Sequence, residues 1–319
     1  MKLIIFVRCR MKRLFALLLT ALLLFGCAKT AVSGIIQWGE GGGTDTLMRP
    51  LCSYAENYLG SKIALSNITG GTGSVATQTV YDKPADGKTL LLGAENPAMY
   101  DALGISDLTY ADFDCVLLIG SETVGVTVAA DSPYPDFASL IEAAKANPGK
   151  IRLATTAKGG LPWTVARFIE SVTGATFNEI PYDSDATARN AVVNGECEVT
   201  VMKLQAGLEA VREGKLRYLC MLTDAPVSVL SDVPPITDYD PAFSQFLPWG
   251  PFYGVFVKKG TDANVRTNLS DAFLKAYREA AYQTLLSDLH IEPLGLTGDE
   301  ANAWIEAWRA ASLSALNAQ

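Results

Sequence analysis

The residues best suited to chemistry lie in one short run, Gln37 to Arg49, which reads QWGEGGGTDTLMR. Glycines lack the side chains that would keep a backbone away from an anion, so a glycine turn can aim its N–H groups at one. Here Gly41, Gly42 and Gly43 lead into a hydroxyl, Thr44, and a carboxylate, Asp45, with Arg49 one helical turn further on. Such a turn can hold a phosphate, hold another anion, or only redirect the chain. The nucleotide readings fail on the residues themselves. A Walker loop needs Gly-Lys-Ser/Thr where this chain has Thr44-Asp45, and GEGGGT lacks the sixth-place glycine of a dinucleotide fingerprint. Asp45 also reads as a charge favourable to a helix N-terminus, and Arg49 as a solvated or salt-bridged surface residue.

A second turn of the same kind, TTAKGGLP, supplies Thr156, Lys158, Gly159 and Gly160, and a looser one, YDSDAT, supplies Tyr182, Asp183, Asp185 and Thr187. Glu95 is a further candidate at the polar end of the run GKTLLLGAEN. Lys203 follows the run ECEVTVM and, with Lys158, is a cation able to oppose a distal carboxylate. Anion-type turns this far apart imply a ligand gripped between two domains. Catalytic and metal chemistry find little support. The single histidine, His290, has no ligand partners near it and reads as structural; no G-x-S-x-G elbow occurs. No catalytic residue, metal or cofactor is expected. Cys52, Cys115, Cys197 and Cys220 match no zinc spacing; a Cys197–Cys220 disulfide stays open, with buried free thiols preferred.

The elements that must position these turns follow a recurring order of short apolar strand, polar turn and amphipathic helix. GIIQW leads through the opening turn to a helix with Leu51, Tyr54, Ala55 and Tyr58 on its apolar side and Gly60 at its end. KIALSN precedes ITGGTGS and a helix near Val75–Tyr81. Phe137, Leu140, Ile141 and Ala144 share a helical face stopped by NPGK. KIRLATT precedes a helix bearing Val165, Phe168, Ile169 and Val172, with Pro162 in its first turn and Gly174 at its close. Past FNEIPY another helix starts, with Asp185 as its expected cap, and ECEVTVM alternates as a strand. The last quarter reads as mostly helical: Leu269, Phe273, Ala276 and Ala280 mark one helix, and Thr297 and Glu300 have capping-box spacing before another with Ala301, Trp304, Ile305 and Trp308. This alternation predicts an α/β protein with parallel sheets. Two strand-like runs, CVLLIGSETVGVTVAA and PFYGVFVKK, break it and read as crossovers between two domains.

Composition agrees. The 319 residues are 49% apolar and 19% charged with a net charge of −8, a globular balance without the clustered basic residues that nucleic-acid binding requires. At the N-terminus, Arg8, Arg10, Lys12 and Arg13 precede an apolar run from Leu14 to Phe25, too short to span a bilayer comfortably. The Leu24–Cys27 tetrapeptide LFGC resembles a lipobox. Residues 1–26 are therefore expected to be a lipoprotein signal, Cys27 the lipidated residue and 27–33 a tether, with Met11 an alternative start. The expected location is extracytoplasmic, lipid-anchored to the cell membrane.

Across Gly34–Gln319 the chain resembles the solute receptors of tripartite tricarboxylate transporters, the Bug or TctC-like family. Gly41, Gly42, Asp45 and Arg49 match the family's Gly-Gly-x-x-Asp-x-x-x-Arg; Asn67, Gly70 and Gly73 match Asn-x-x-Gly-x-x-Gly; Asp86, Gly87, Thr89 and Leu90 match Asp-Gly-Tyr-Thr-Leu, with Lys88 at the tyrosine. YADF, AKANPGK, IPYDSDATARNAVVNGECEV, GKLRYL and DVPPITDYD follow in family order. The resemblance implies a two-domain periplasmic-binding-protein fold of type II, a Venus flytrap with its cleft between domains. Residues 34–127 plus 253–319 would form domain 1, and 128–252 domain 2. It further implies a monomeric, non-enzymatic receptor that passes a small carboxylate to an integral-membrane permease; a ligand sensor without a transport role is the alternative. Gly41 to Asp45 would form one jaw, and Lys158 to Gly160 with Tyr182 to Thr187 the other. Where relatives commonly read Tyr-Lys-Gly, this chain has Tyr182-Asp183-Ser184-Asp185, which points to a ligand that also carries an ammonium, contacted by Asp183 or Asp185.

Overall fold

The computed structural model describes residues 32–156, 159–182, 184–247 and 249–317. The leader, Cys27, Lys158 and Asp183 lie outside the described residues. Two sheets organise the chain. Strands β1 (Val32–Gln37), β2 (Ile63–Ile68), β3 (Thr89–Ala94), β4 (Phe113–Glu122), β10 (Phe252–Lys258) and β11 (Ile291–Leu296) make the first, in the order β11-β4-β10-β3-β1-β2. Strands β5 (Val124–Ala129), β6 (Arg152–Thr155), β7 (Asn178–Pro181), β8 (Val199–Lys203) and β9 (Leu216–Met221) make the second, in the order β7-β6-β8-β5-β9.

Both sheets are mixed, which corrects the expectation of parallel ones. β1 runs parallel to β2 and β3, and β6 parallel to β7 and β8, because a helix returns the chain between them. β4, β5 and β10 pair antiparallel with their neighbours. They belong to the two runs that broke the alternation, and the first run divides between the sheets at Thr123, where β4 ends and β5 begins. The expected boundary after residue 127 thus falls inside β5. Likewise Val32 and Ser33, expected in a tether, pair with Ile63 and Ala64 as the start of β1.

Local signals are honoured where they rest on backbone chemistry. The helix Gly43–Leu59 stops at Gly60 and the helix Leu161–Thr173 at Gly174, both glycines left-handed (φ 62° and 73°). Tyr58 departs from the expected apolar face. It is exposed and donates its hydroxyl to Glu279. β8 is buried on both faces, with no outward polar row. Thr200 tolerates this by donating its hydroxyl to the Ala154 carbonyl at 2.9 Å. The expected single helix through Ala280 is two, Ala263–Tyr277 and Ala280–Asp288, and β11 adds a strand to the helical last quarter. The final helix, Gly298–Asn317, packs on β4 as well as on the helix Leu161–Thr173. Trp308 stacks on Trp249 at 5.6 Å, and Trp249 meets Phe168 edge-on at 4.9 Å, so one aromatic seam joins elements of both sheets. Cys52, Cys115, Cys197 and Cys220 are buried free thiols.

Candidate functional site

In open α/β sheets ligands collect beyond the carboxyl ends of parallel strands, where helices begin. β1, β2 and β3 in one sheet and β6, β7 and β8 in the other each end in one of the candidate segments. After β1, Gly42 caps the helix Gly43–Leu59 in an extended conformation, with no side-chain cap bond. After β6, Gly160 does the same for the helix Leu161–Thr173. Two other helices are capped by their own chain: Asp136 caps Phe137–Ala146 and Asp262 caps Ala263–Tyr277. The first N–H groups of a helix have no intrahelical partner and carry the positive end of its dipole. Leaving them without a side-chain cap at two glycine turns, one in each sheet, suits an anion supplied from outside.

The first turn is held by Asp45. Its Oδ2 accepts the Gly41 N–H at 3.0 Å, and its Oδ1 accepts Arg49 Nε at 2.8 Å and Asn67 Nδ2 at 2.9 Å. Burial alone would raise the carboxyl; Arg49, the Gly41 N–H and Asn67 outweigh it and hold the value at about 2. Gly41 is therefore an internal donor, and Gly42 donates to the Gly39 carbonyl at 3.3 Å, so the donors left to a ligand are those of Gly43 onward. Arg49, read as a solvated or salt-bridged surface residue, is exposed and salt-bridged to Asp45, and it also donates to Asn67 Oδ1 at 2.6 Å. Asn67 also binds the carbonyl of Trp38, whose φ of 128° is rare for a side-chain-bearing residue. Thr44 is buried in the helix start.

Sequence reasoning missed Gln37, the last residue of β1 and fully buried. Its amide nitrogen donates to Tyr100 OH at 2.8 Å and to the Gly73 carbonyl at 3.2 Å; its oxygen accepts the Ala94 N–H at 3.0 Å. One side chain thereby ties together the ends of β1 and β3 and the turn after β2. The signal was present as a lone polar residue closing the apolar run GII.

In the other sheet, Thr187 is engaged in the cap of its own helix. Ser184, and not Asp185, is that cap: Ser184 Oγ accepts the Thr187 N–H at 3.2 Å, and Thr187 Oγ1 donates to the Ser184 carbonyl at 2.9 Å. A hydroxyl one residue ahead of the acid reaches the third N–H of the helix, which leaves Asp185 as an exposed first-turn residue. Tyr182 also turns away from the expected jaw, its hydroxyl near Glu196 and Cys197, each at 3.5 Å. Thr156 is half-buried at the end of β6. Gly159, at φ 81°, lies against Leu103: a Cβ there would overlap the Leu103 side chain. The second turn thus touches the far side of the cleft directly.

The charged candidates converge where the chain crosses between sheets. Lys203 Nζ lies 2.8 Å from Glu122 Oε2 and 3.2 Å from Tyr253 OH, and Tyr253 donates to the same Glu122 oxygen at 2.9 Å. Burial would depress the ammonium, yet Tyr253, Glu122 and Glu95 carry its value well above normal, so Lys203 is cationic. Already paired, it is not the free cation the sequence suggested. Glu122 was legible only as an acid inside an apolar run. Tyr253 OH also reaches the first turn, since a Cβ on Gly43 would stand 2.9 Å from it.

Glu95 begins the turn after β3. Burial pushes its carboxyl to about 7; Lys203 opposes the rise, and Glu122 and Asp185 add to it. Those couplings place Asp185 from one sheet and Glu95 from the other within electrostatic reach. A cavity beside Glu95 is lined from both sheets and from the final helix: Thr72 and Asn96, then Gly159 and Trp163, then Trp308. Of the expected ligand residues, Glu95 and Gly159 line it together. Among the described residues no group of three or more His, Cys, Asp and Glu could hold a metal ion.

A profile described as "TctC: Tripartite tricarboxylate transporter family receptor" matches residues 47–311. Protein BugT of Bordetella pertussis is 25% identical over 277 residues, covering 85% of this chain and 83% of its own. A TctC solute binding protein from Polaromonas superposes with a TM-score of 0.76 at 22% identity, covering 91% of this chain and 98% of that one. The R. palustris protein Rpa4515 with adipate gives 0.76 at 21% identity, covering 90% and 96%. The two mixed sheets with their flanking helices are thus the periplasmic binding protein fold of those structures.

Proposed function

The chain belongs to the tripartite tricarboxylate transporter receptor family, and from that premise we propose that it captures a small carboxylate between its two sheets and presents it to a permease. Receptors of this family bind solutes and do not transform them. The observation that carries the carboxylate reading is the pair of glycine-started helices, Gly43–Leu59 and Leu161–Thr173, whose first N–H groups no side chain among the described residues caps. A carboxylate accepts several N–H bonds at once, and charge-assisted bonds of this kind are about twice as strong as neutral ones. The adipate of the R. palustris relative is a ligand of this chemistry.

Capture would proceed by hinge closure. Residues 34–127 plus 253–319 and residues 128–252 are the two bodies we propose, with the hinge drawn back to Thr123, where the sheets change over, and a second crossing between β9 and β10. A ligand bridging both bodies populates the closed state only to the extent that it binds that state better. We further propose that the receptor acts as a monomer outside the cytoplasm, tethered through a lipid on Cys27. Among the described residues no helix is long and apolar enough to cross a membrane.

A thermal-shift screen of organic acids tests the binding, since a ligand specific to the folded state raises Tm. Solution scattering on the best ligand tests the closure. Failure of every carboxylate to raise Tm refutes the receptor reading; a shift without compaction refutes only the flytrap motion.

A further inference from the structure

The cavity beside Glu95 is walled by two acceptors that no other described side chain engages. Asn96 Oδ1 is buried there without a hydrogen-bond partner. The neighbouring Glu95 carboxylate accepts from no other residue among those described, its only bond being to its own backbone N–H. Four donors in or near the cavity are engaged elsewhere. Trp249 Nε1 donates to Ser312 Oγ at 2.8 Å, Trp308 Nε1 to the Gly250 carbonyl at 2.9 Å, and Arg309 is bound to Asp101 and the Ala98 carbonyl. Lys203 is held by Glu122 and Tyr253. A buried acceptor left unpaired has lost its hydration without replacement, so this wall suits a group that donates. Trp163, Trp249 and Trp308 also line the cavity, though Trp163 already carries the Arg167 guanidinium over its ring at 5.3 Å and Trp249 and Trp308 stack on each other.

We infer that this cavity receives the ammonium of an amino-substituted small carboxylate, with Glu95 and Asn96 as its acceptors. The assignment rests on the carboxylate-receptor reading and adds the second charged group of the ligand. It moves the ammonium contact from Asp183 or Asp185 to the turn after β3. Asp185 contributes at longer range, through its negative charge on the same carboxyl.

The groups facing Glu95 are Lys203 from β8, Glu122 at the end of β4, Asp185 from the opposing helix, and the phenols of Tyr100, Tyr110 and Tyr253. A cation seated on Glu95 favours its ionised form, so binding releases a proton near neutrality. With a value of about 7, the ionised fraction rises about tenfold between pH 6 and 8, and affinity for the amine rises with it. A ligand that placed a second carboxylate there would take up a proton and weaken over the same range.

The test is titration calorimetry on the full chain with aspartate, malate and succinate, and with the matched five-carbon acids, in two buffers of different ionisation enthalpy. The amino acid of one set is expected to bind at least tenfold more tightly than its hydroxy and unsubstituted analogues, releasing a proton at pH 7. Glu95→Gln should bring the three acids to within about threefold of one another, whereas Glu142→Gln, at an exposed acid of the helix Phe137–Ala146, should keep the preference. Equal or tighter binding of the hydroxy or unsubstituted acid, proton uptake, or a preference that survives Glu95→Gln overturns the assignment and leaves the carboxylate receptor standing. If no acid in either set binds, both fall.

Discussion

Glu122 Oε2 and Lys203 Nζ stand 2.8 Å apart, joining the last residue of β4 in one sheet to the last residue of β8 in the other. Tyr253 at the start of β10 touches both partners, so the cluster spans the place where the chain changes sheets. Removing one partner leaves the other charge uncompensated, which costs more than the pair contributes. Lys203→Met is expected to lower unfolding free energy by roughly 3 kcal/mol, with part of the loss recovered in the Lys203→Met/Glu122→Gln double variant. Urea denaturation of the four forms measures the coupling, and simple additivity would rule the linkage out.

Asp45 governs the acid limb of stability. Its folded value, about 2, lies below the ordinary 3.8 because hydrogen bonds from Arg49, Gly41 and Asn67 outweigh burial. A depressed acid stabilises above its unfolded value, and that contribution disappears as pH falls through the folded one. Asp45→Ala should cost roughly 2 kcal/mol at pH 7, a deficit that shrinks between pH 4 and 2. Because Gly41 loses its anchor, ligand affinity should fall too. Thermal melts across pH would show this; a deficit independent of pH would contradict it.

Glu95 has the opposite sign. Its folded value of about 7 exceeds the ordinary 4.5, so between these the native state keeps a proton that the unfolded chain has lost. Stability should therefore decline as pH rises from about 4.5 to 7 and level off above. Glu95→Gln removes that decline, and its advantage over the parent is largest above pH 7. Chemical denaturation at pH 5 and pH 8 is sufficient, and equal differences at both would refute the coupling.

Gln37 and Gly73 are expected to behave as one unit. Gly73 sits at φ 86°, and a Cβ on it would overlap the Gln37 side chain. Gly73→Ala should destabilise by about 2 kcal/mol or more, from left-handed strain and displacement of the amide. Gln37→Leu should cost a similar amount by orphaning the Ala94 N–H, while the Gly73 carbonyl keeps only the Thr77 hydroxyl. Both variants should weaken binding, and the double should cost less than the sum of the singles. Full additivity would mean that the amide does not couple the two strand ends.

The alternation of strands and helices, the helix stops at Gly60 and Gly174, and the glycine turns after β1 and β6 were all legible in the residues. Each rests on local chemistry, periodicity or backbone freedom, which needs no knowledge of distant neighbours. The motif order carried the family for the same reason, being a property of the chain in one dimension. What each polar side chain faces was not legible. Asp45 and Thr187, expected to meet a ligand, serve their own turns, and Lys203 is paired with Glu122, 81 positions away in the chain. The antiparallel returns of β4, β5 and β10, the cavity between the turn after β3 and the final helix, and the half-buried acid at Glu95 exist only once the sheets are assembled. A side chain's partners and solvation are set by residues that folding brings within a few ångströms, so composition and spacing could nominate these groups while the assembled chain assigned their roles.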